Sequence, residues 1–115
     1  MLERAVENLL DNAFHYTPKG GVIEVSWRCD VDRVVFRVAD TRPGIRPADM
    51  PHLFDPLFRG ETSRNRQTGG AGLGLAIARR ALLAAGGDLV AMNREDGGGE
   101  FTGWLPARSE APVLR

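Results

Sequence analysis

Gly69-Gly70-Ala71-Gly72-Leu73-Gly74-Leu75-Ala76-Ile77-Ala78 is the stretch on which the reading of this chain turns. Its glycines pass directly into an apolar helical pattern predicted from Gly72 to Ala85, with Leu75, Ile77, Ala78 and Leu82 beside an alanine-rich face. Gly86-Gly87 stops it. Glycines at the start of a helix free backbone N–H groups where the helix dipole favours anions. No Lys-Ser or Lys-Thr follows, so this is not a Walker A loop. Ile77 stands at the third position of a Rossmann fingerprint and no strand precedes it, so that reading fails too. Arg59, Arg64 and Arg66 lie in the loop ahead, and from Arg59 to the glycines only Glu61 opposes them. A basic loop beside an anion-binding helix end suits a triphosphate; a solvated charge run is the plainer reading of any one of these arginines.

Working outward, Leu2, Ala5, Val6, Leu9, Leu10 and Ala13 recur at helical spacing and predict a first helix ending before Thr17-Pro18 and Gly20-Gly21. The chain starts inside this helix without an N-cap, which is expected of a cut within a longer protein. Val22 to Cys29 alternates, with Ile23, Val25 and Trp27 on one face; Asp30 to Asp32 turns, and Arg33 to Ala39 returns as a hairpin partner. Asp40 ends that strand, before the turn-rich Thr41-Arg42-Pro43-Gly44-Ile45. Pro47 to Leu53 predicts a short helix with Pro47 first. Asp55 to Gly70 reads as a long loop, and long loops in compact domains are usually functional. After the second helix, strands are predicted at Asp88 to Asn93 and Glu100 to Leu105, joined by Asp96-Gly97-Gly98-Gly99, with a frayed tail from Pro106. This order gives an α+β, two-layer sandwich with an antiparallel hairpin at each end. Trp27, Phe36 and Trp104 are expected in the core, and Cys29 half-buried at a strand end.

The 115 residues suffice for one domain. Fifteen Lys and Arg against fifteen Asp and Glu leave no net charge, which argues against a general nucleic-acid or membrane-surface binder. No run of 18 apolar residues could span a bilayer, and the acidic residues in MLERAVENLL rule out a secretory signal. One cysteine excludes an internal disulfide framework and a cysteine-rich zinc site.

Asn8 and Asn12 lie four apart on one helix face. Their amide oxygens can serve a hard cation held together with substrate phosphates, or they can simply mark the solvent border of the helix. Asp40, at a strand end, reads as an Asx-turn or as a carboxylate accepting a hydrogen bond from a ligand amine. His15 and His52 have no supporting Asp or Ser pattern, which makes triad chemistry improbable.

In order along the chain these segments resemble the catalytic ATP-binding domain of bacterial sensor histidine kinases, in the superfamily shared with gyrase, the ninety-kilodalton heat-shock chaperone and MutL. Glu7 to Pro18 resembles the N box, Asp40 to Ile45 the first glycine box and Leu53 to Gly60 the F box. Gly69 to Ala78 resembles the second glycine box, and Gly97 to Pro106 the closing strand. The resemblance implies the Bergerat sandwich, a mixed, mostly antiparallel sheet covered on one face by helices. It places that domain at residues 1–106, truncated at its N-terminus, with residues 107–115 as a tail.

By the same resemblance Asn12 binds Mg²⁺, Asn8 supports it, and His15 takes the place of a basic phosphate contact. Tyr16 packs on adenine and Asp40 accepts its amino group, with Gly44 and Ile45 beside the base. Phe54 and Phe58 anchor a lid over the nucleotide; Arg59 reaches the phosphates, and Gly70, Gly72, Leu73 and Gly74 meet them through the backbone. Hydrolysing members of the superfamily carry a Glu four residues before the metal-binding Asn, where this chain has Asn8. Glu7 is about 100° away around the helix, so hydrolysis should be slow. The implied partners are ATP, a histidine-bearing dimerisation domain of the same full-length kinase, which these residues do not contain, and a response regulator. The implied location is cytoplasmic, in a parent protein with or without a membrane anchor, and the domain itself touches neither nucleic acid nor membrane. Arg42 departs from the pattern, standing where the family has the first glycine of Asp-x-Gly-x-Gly. It predicts a crowded pocket and weak nucleotide binding; the competing reading is a degenerate, nucleotide-free interaction module.

Overall fold

The computed structural model describes residues 2–56 and 74–107. Helix α1 (Leu2–Tyr16) is followed by strands β1 (Ile23–Cys29) and β2 (Arg33–Asp40) and a single 3₁₀ turn at Met50–His52. Helix α2 (Gly74–Ala84) leads into β3 (Asp88–Arg94) and β4 (Gly98–Pro106). The four strands form one sheet in the order β1-β2-β4-β3, and every pairing is antiparallel. This is the expected α+β sandwich, its two predicted hairpins joined edge to edge through β2 and β4.

The apolar periods decide the packing. Ala5, Leu9 and Ala13 of α1 are buried, as are Leu75, Ala76, Ala78 and Leu82 of α2. All of these but Ala76 meet Phe36 and Val38 of β2, Leu89 of β3 and Phe101 of β4 in one cluster. Gly103 lets α2 approach the sheet closely: a Cβ there would stand 2.6 Å from the Phe36 ring and 3.0 Å from a Leu82 methyl. The end of α2 is a Schellman motif, in which Gly87 N–H donates to the Leu82 carbonyl at 2.8 Å and Gly86 N–H to that of Leu83 at 3.0 Å. Gly86, at φ +95°, takes the left-handed position this motif needs.

Four side chains depart from the sequence expectation. Trp27 is 52% exposed, its ring 5.3 Å from that of Phe36, because β1 is an edge strand and the helices cover β2, β4 and β3. Cys29, at the end of that edge strand, is exposed. Trp104 alternates with Phe101 and Gly103, so it lies half-buried on the opposite sheet face beneath Arg33. Ile77 faces outward from α2. Pro47 does not open a helix: residues 47–49 form a turn, and Pro51, which lacks an N–H, is at the start of the 3₁₀ turn instead.

At the α2–β3 junction, the Arg79 guanidinium donates to the Asp88 carboxylate at 2.9 Å, and the Leu89 N–H donates to the same oxygen at 2.7 Å. The Arg79 hydrogen bond, reinforced by that backbone N–H and by Arg79's charge, outweighs burial and holds the Asp88 carboxyl below 3.8. A depressed folded-state value contributes stability above the unfolded value and loses it as pH falls through the folded one. Asp88→Asn should therefore cost about 0.5 kcal/mol near neutral pH, since the pair is partly exposed. Urea melts should show that difference closing below pH 3.8.

Candidate functional site

The site lies where the C-terminal half of α1 passes over the end of β2. Residues 8, 12 and 16 follow one another at four-residue spacing, one position behind the buried Leu9 and Ala13. Asp40 closes β2 between two neighbours, paired with Ile23 of β1 and Gly99 of β4. Flanked on both sides and roofed by α1, its side chain is fully buried. The turn at 17–21 fixes this corner: Gly21 N–H donates to the Pro18 carbonyl at 2.8 Å, and Val22 N–H to Thr41 Oγ1 at 3.0 Å.

The Asx-turn reading of Asp40 holds, and its carboxylate is met by a side chain of the chain itself. Its Oδ1 accepts from the Arg42 N–H at 3.0 Å, an Asx-turn, and its carboxylate is also the terminus of a buried polar network. The Arg42 Nε donates to Asp40 Oδ1 at 2.8 Å and Oδ2 at 3.1 Å, and its Nη2 donates to Oδ2 at 2.7 Å. The same Nη2 donates to Asn12 Oδ1 at 2.7 Å. One side chain thus joins the carboxylate at the sheet end to the amide on the helix.

Tyr16 flanks this network, with the Arg42 guanidinium carbon 5.0 Å from its ring centroid. His15 meets Tyr16 edge-on at 4.6 Å. Asn8 faces the first residue of α2: a Cβ on Gly74 would lie 3.8 Å from the Asn8 amide. The Asn8 Nδ2 is buried and has no hydrogen-bond partner among the described residues. An unpaired buried donor of this kind suits an acceptor supplied from outside, such as a phosphate oxygen.

Gly44 and Ile45 belong to a different contact. Asn93 of β3 accepts from Ile45 N–H at 2.7 Å and donates to the Ile45 carbonyl at 2.9 Å, while Gly44 lies against the same amide. Phe54 is half-buried, edge-on to Phe101 at 6.4 Å, with Arg79 over its ring at 5.4 Å. It anchors the segment after the 3₁₀ turn to the core. Phe58, Arg59, Gly70, Gly72 and Leu73 lie outside the described residues.

Sequence reasoning missed two residues. Phe101 presents its ring to Arg42 at 5.1 Å while filling the core, and an aromatic in a strand carries no signal of that second contact. Asn93 clamps the turn after Asp40 from 48 residues away, beyond the reach of local pattern. Arg42 was visible as a departure from the motif, but its bridge to Asn12 spans 30 residues and needed the fold.

The family model described as histidine kinase-, DNA gyrase B- and HSP90-like ATPase matches residues 1–109. The chain is 37% identical over 111 residues to the sensor-like histidine kinase SenX3 of Mycobacterium tuberculosis, covering 96% of this chain and 27% of that protein. It superposes on a mycobacterial sensor histidine kinase, MprB, with TM-score 0.78 and 34% identity, over 91% of this chain and 71% of that one. It also superposes on full-length ShkA in complex with AMPPNP, with TM-score 0.76 and 31% identity, over 92% of this chain and 21% of that one.

Proposed function

Because the chain belongs to the histidine kinase-, DNA gyrase B- and HSP90-like ATPase family, we propose that it is the ATP-binding catalytic domain of a sensor histidine kinase. It presents Mg²⁺·ATP to a histidine on a dimerisation domain, from which the phosphoryl group passes to an aspartate of a response regulator. The reading rests on one observation: Asn8, Asn12, Tyr16 and Asp40, from two elements, converge on one corner with a buried amide donor left over at Asn8.

The residues have assignable parts. Asp40 accepts the adenine amino group and Tyr16 supports the ring. The Asn12 amide oxygen fits a hard cation, and the Asn8 Nδ2 fits a phosphate oxygen. Magnesium, when bound, neutralises phosphate charge. Asn8 has no lone pair basic enough to deprotonate water, so the domain holds ATP without spending it and leaves in-line attack to an imidazole brought from outside. His15 takes the part of a basic phosphate contact. Gly74 and the residues before it, with Arg59, complete the phosphate contacts, and Phe54 with Phe58 fastens the covering segment. The orphaned Asn8 donor and the acceptors at Asn12 and Asp40 speak for a nucleotide site over a nucleotide-free docking module.

Calorimetric titration of AMPPNP with and without Mg²⁺ tests this. Mg²⁺ should tighten binding to the chain, and Asn12→Ala should abolish that tightening while leaving the metal-free affinity within a few-fold. The chain incubated with ATP alone should release phosphate at a rate close to background. Absence of AMPPNP binding at millimolar concentration, by the chain and by Arg42→Gly alike, would refute the assignment.

A further inference from the structure

The side chain of Arg42 is 6% exposed, although it lies in a turn whose neighbours Thr41, Pro43 and Gly44 are exposed. Its Nε and Nη2 satisfy both oxygens of Asp40, and Nη2 also holds Asn12 Oδ1. Its flat guanidinium is held between two aromatic rings, 5.0 Å from Tyr16 and 5.1 Å from Phe101. Its stem lies along Gly99, where a Cβ would come within 3.0 Å of Nε and 3.1 Å of Cδ. The pocket is therefore built around this group: an acceptor at each end, a ring on two sides and a missing side chain beneath. A planar π-system bearing N–H donors, stacked on an aromatic ring and pointed at a buried carboxylate, is also the description of an aminopurine.

We propose that Arg42 is an internal ligand of the nucleotide site, occupying the purine and metal positions together, so that nucleotide enters only when the guanidinium swings out. This rests on the nucleotide-binding reading above. Because Nη2 reaches Asn12 while Nε and Nη2 hold Asp40, a single side-chain rotation frees the base acceptor and the metal acceptor at once. Apparent affinity is then the intrinsic affinity reduced by the fraction of molecules in which Arg42 has left. Arg42 sets how much nucleotide the domain needs.

The test is calorimetric titration of AMPPNP with Mg²⁺ into the chain and into Arg42→Ala and Arg42→Gly, each checked for a cooperative melt. Both variants should bind about 10–100-fold more tightly than the parent. Methylguanidinium at millimolar concentration, against a sodium chloride control, should compete with AMPPNP in Arg42→Ala and have no such effect on the parent. Should the variants fail to fold, nitrogen-15 NMR of the parent still decides. The Arg42 Nε–H resonance should be exchange-protected in the free chain and should shift and lose protection as AMPPNP saturates. Equal or weaker binding by folded variants, or an Nε–H resonance unmoved at saturation, overturns the internal-ligand proposal and leaves nucleotide binding intact. No AMPPNP binding by parent or variants overturns both.

Discussion

Arg42→Ala is expected to destabilise the fold by about 3–5 kcal/mol, more than Asp40→Ala does, although the two residues share one ion pair. The asymmetry comes from what each deletion leaves behind. Without Arg42, the Asp40 carboxylate stays at the end of an interior strand, held by backbone pairing on both sides and left without a cation in the cavity the guanidinium vacates. Without Asp40, the arginine is on a turn and can carry its charge into solvent on a flexible stem. The loss is then closer to that of hydrogen bonds to a charged group, about 1.5–3 kcal/mol. Urea denaturation of both single variants and of Asp40→Ala/Arg42→Ala closes the cycle. The double variant should recover part of the Arg42→Ala loss, since it contains no uncompensated buried charge. Equal single losses that simply add would mean that the two groups are not coupled as their 2.7–3.1 Å contacts require.

Gly87→Ala is expected to be as severe by another route. A Cβ at Gly87 would fall on the carbonyl of Trp104 and within 3.2 Å of the Leu105 Cα. Both obstacles are backbone of β4, which pairs with β2 on one side and β3 on the other, so neither can move without breaking a ladder. Overpacking against flexible side chains costs about 1–3 kcal/mol; a collision with a central strand should cost about 3 kcal/mol or more. The adjacent Gly86→Ala provides the comparison. Its penalty comes mainly from φ +95° and a 3.1 Å approach to the Pro106 ring, and about 1–2 kcal/mol is expected. Thermal melts of the two variants should differ by several degrees, with Gly87→Ala lower. The reverse order would mean that β4 is free to yield.

Most of the architecture was legible because it depends on periodicity. The 5, 9, 13 stripe of α1, the alternation of β1 and the Gly86-Gly87 stop are all local signals, and each falls within a residue or two of its place. Alternation cannot say which part of a sheet face receives a helix. Trp27 shares its sheet face with Phe36, yet one is half open and the other 1% exposed, because only β1 lies at that edge. Pro47 and Pro51 are equally good helix starters by sequence, and the hydrogen bonds from Asp49 and Met50 to the Arg46 carbonyl place the turn ahead of the second. At the site, residue types at Asn8, Asn12, Tyr16 and Asp40 were readable one at a time. Their partner was not, because nothing local to Arg42 indicates an amide 30 positions earlier.

The pinning of the chain on either side of Arg42 has a kinetic consequence. Its own N–H is tied to Asp40, and three residues later Asn93 grips both polar groups of Ile45. With the peptide path so fastened, the guanidinium departs by bond rotation alone, a motion faster than any loop opening. Stopped-flow mixing should then show observed association rates rising in proportion to nucleotide concentration, without the plateau that a slow gate imposes. The arginine acts as a thermodynamic toll on occupancy and adds no delay to it.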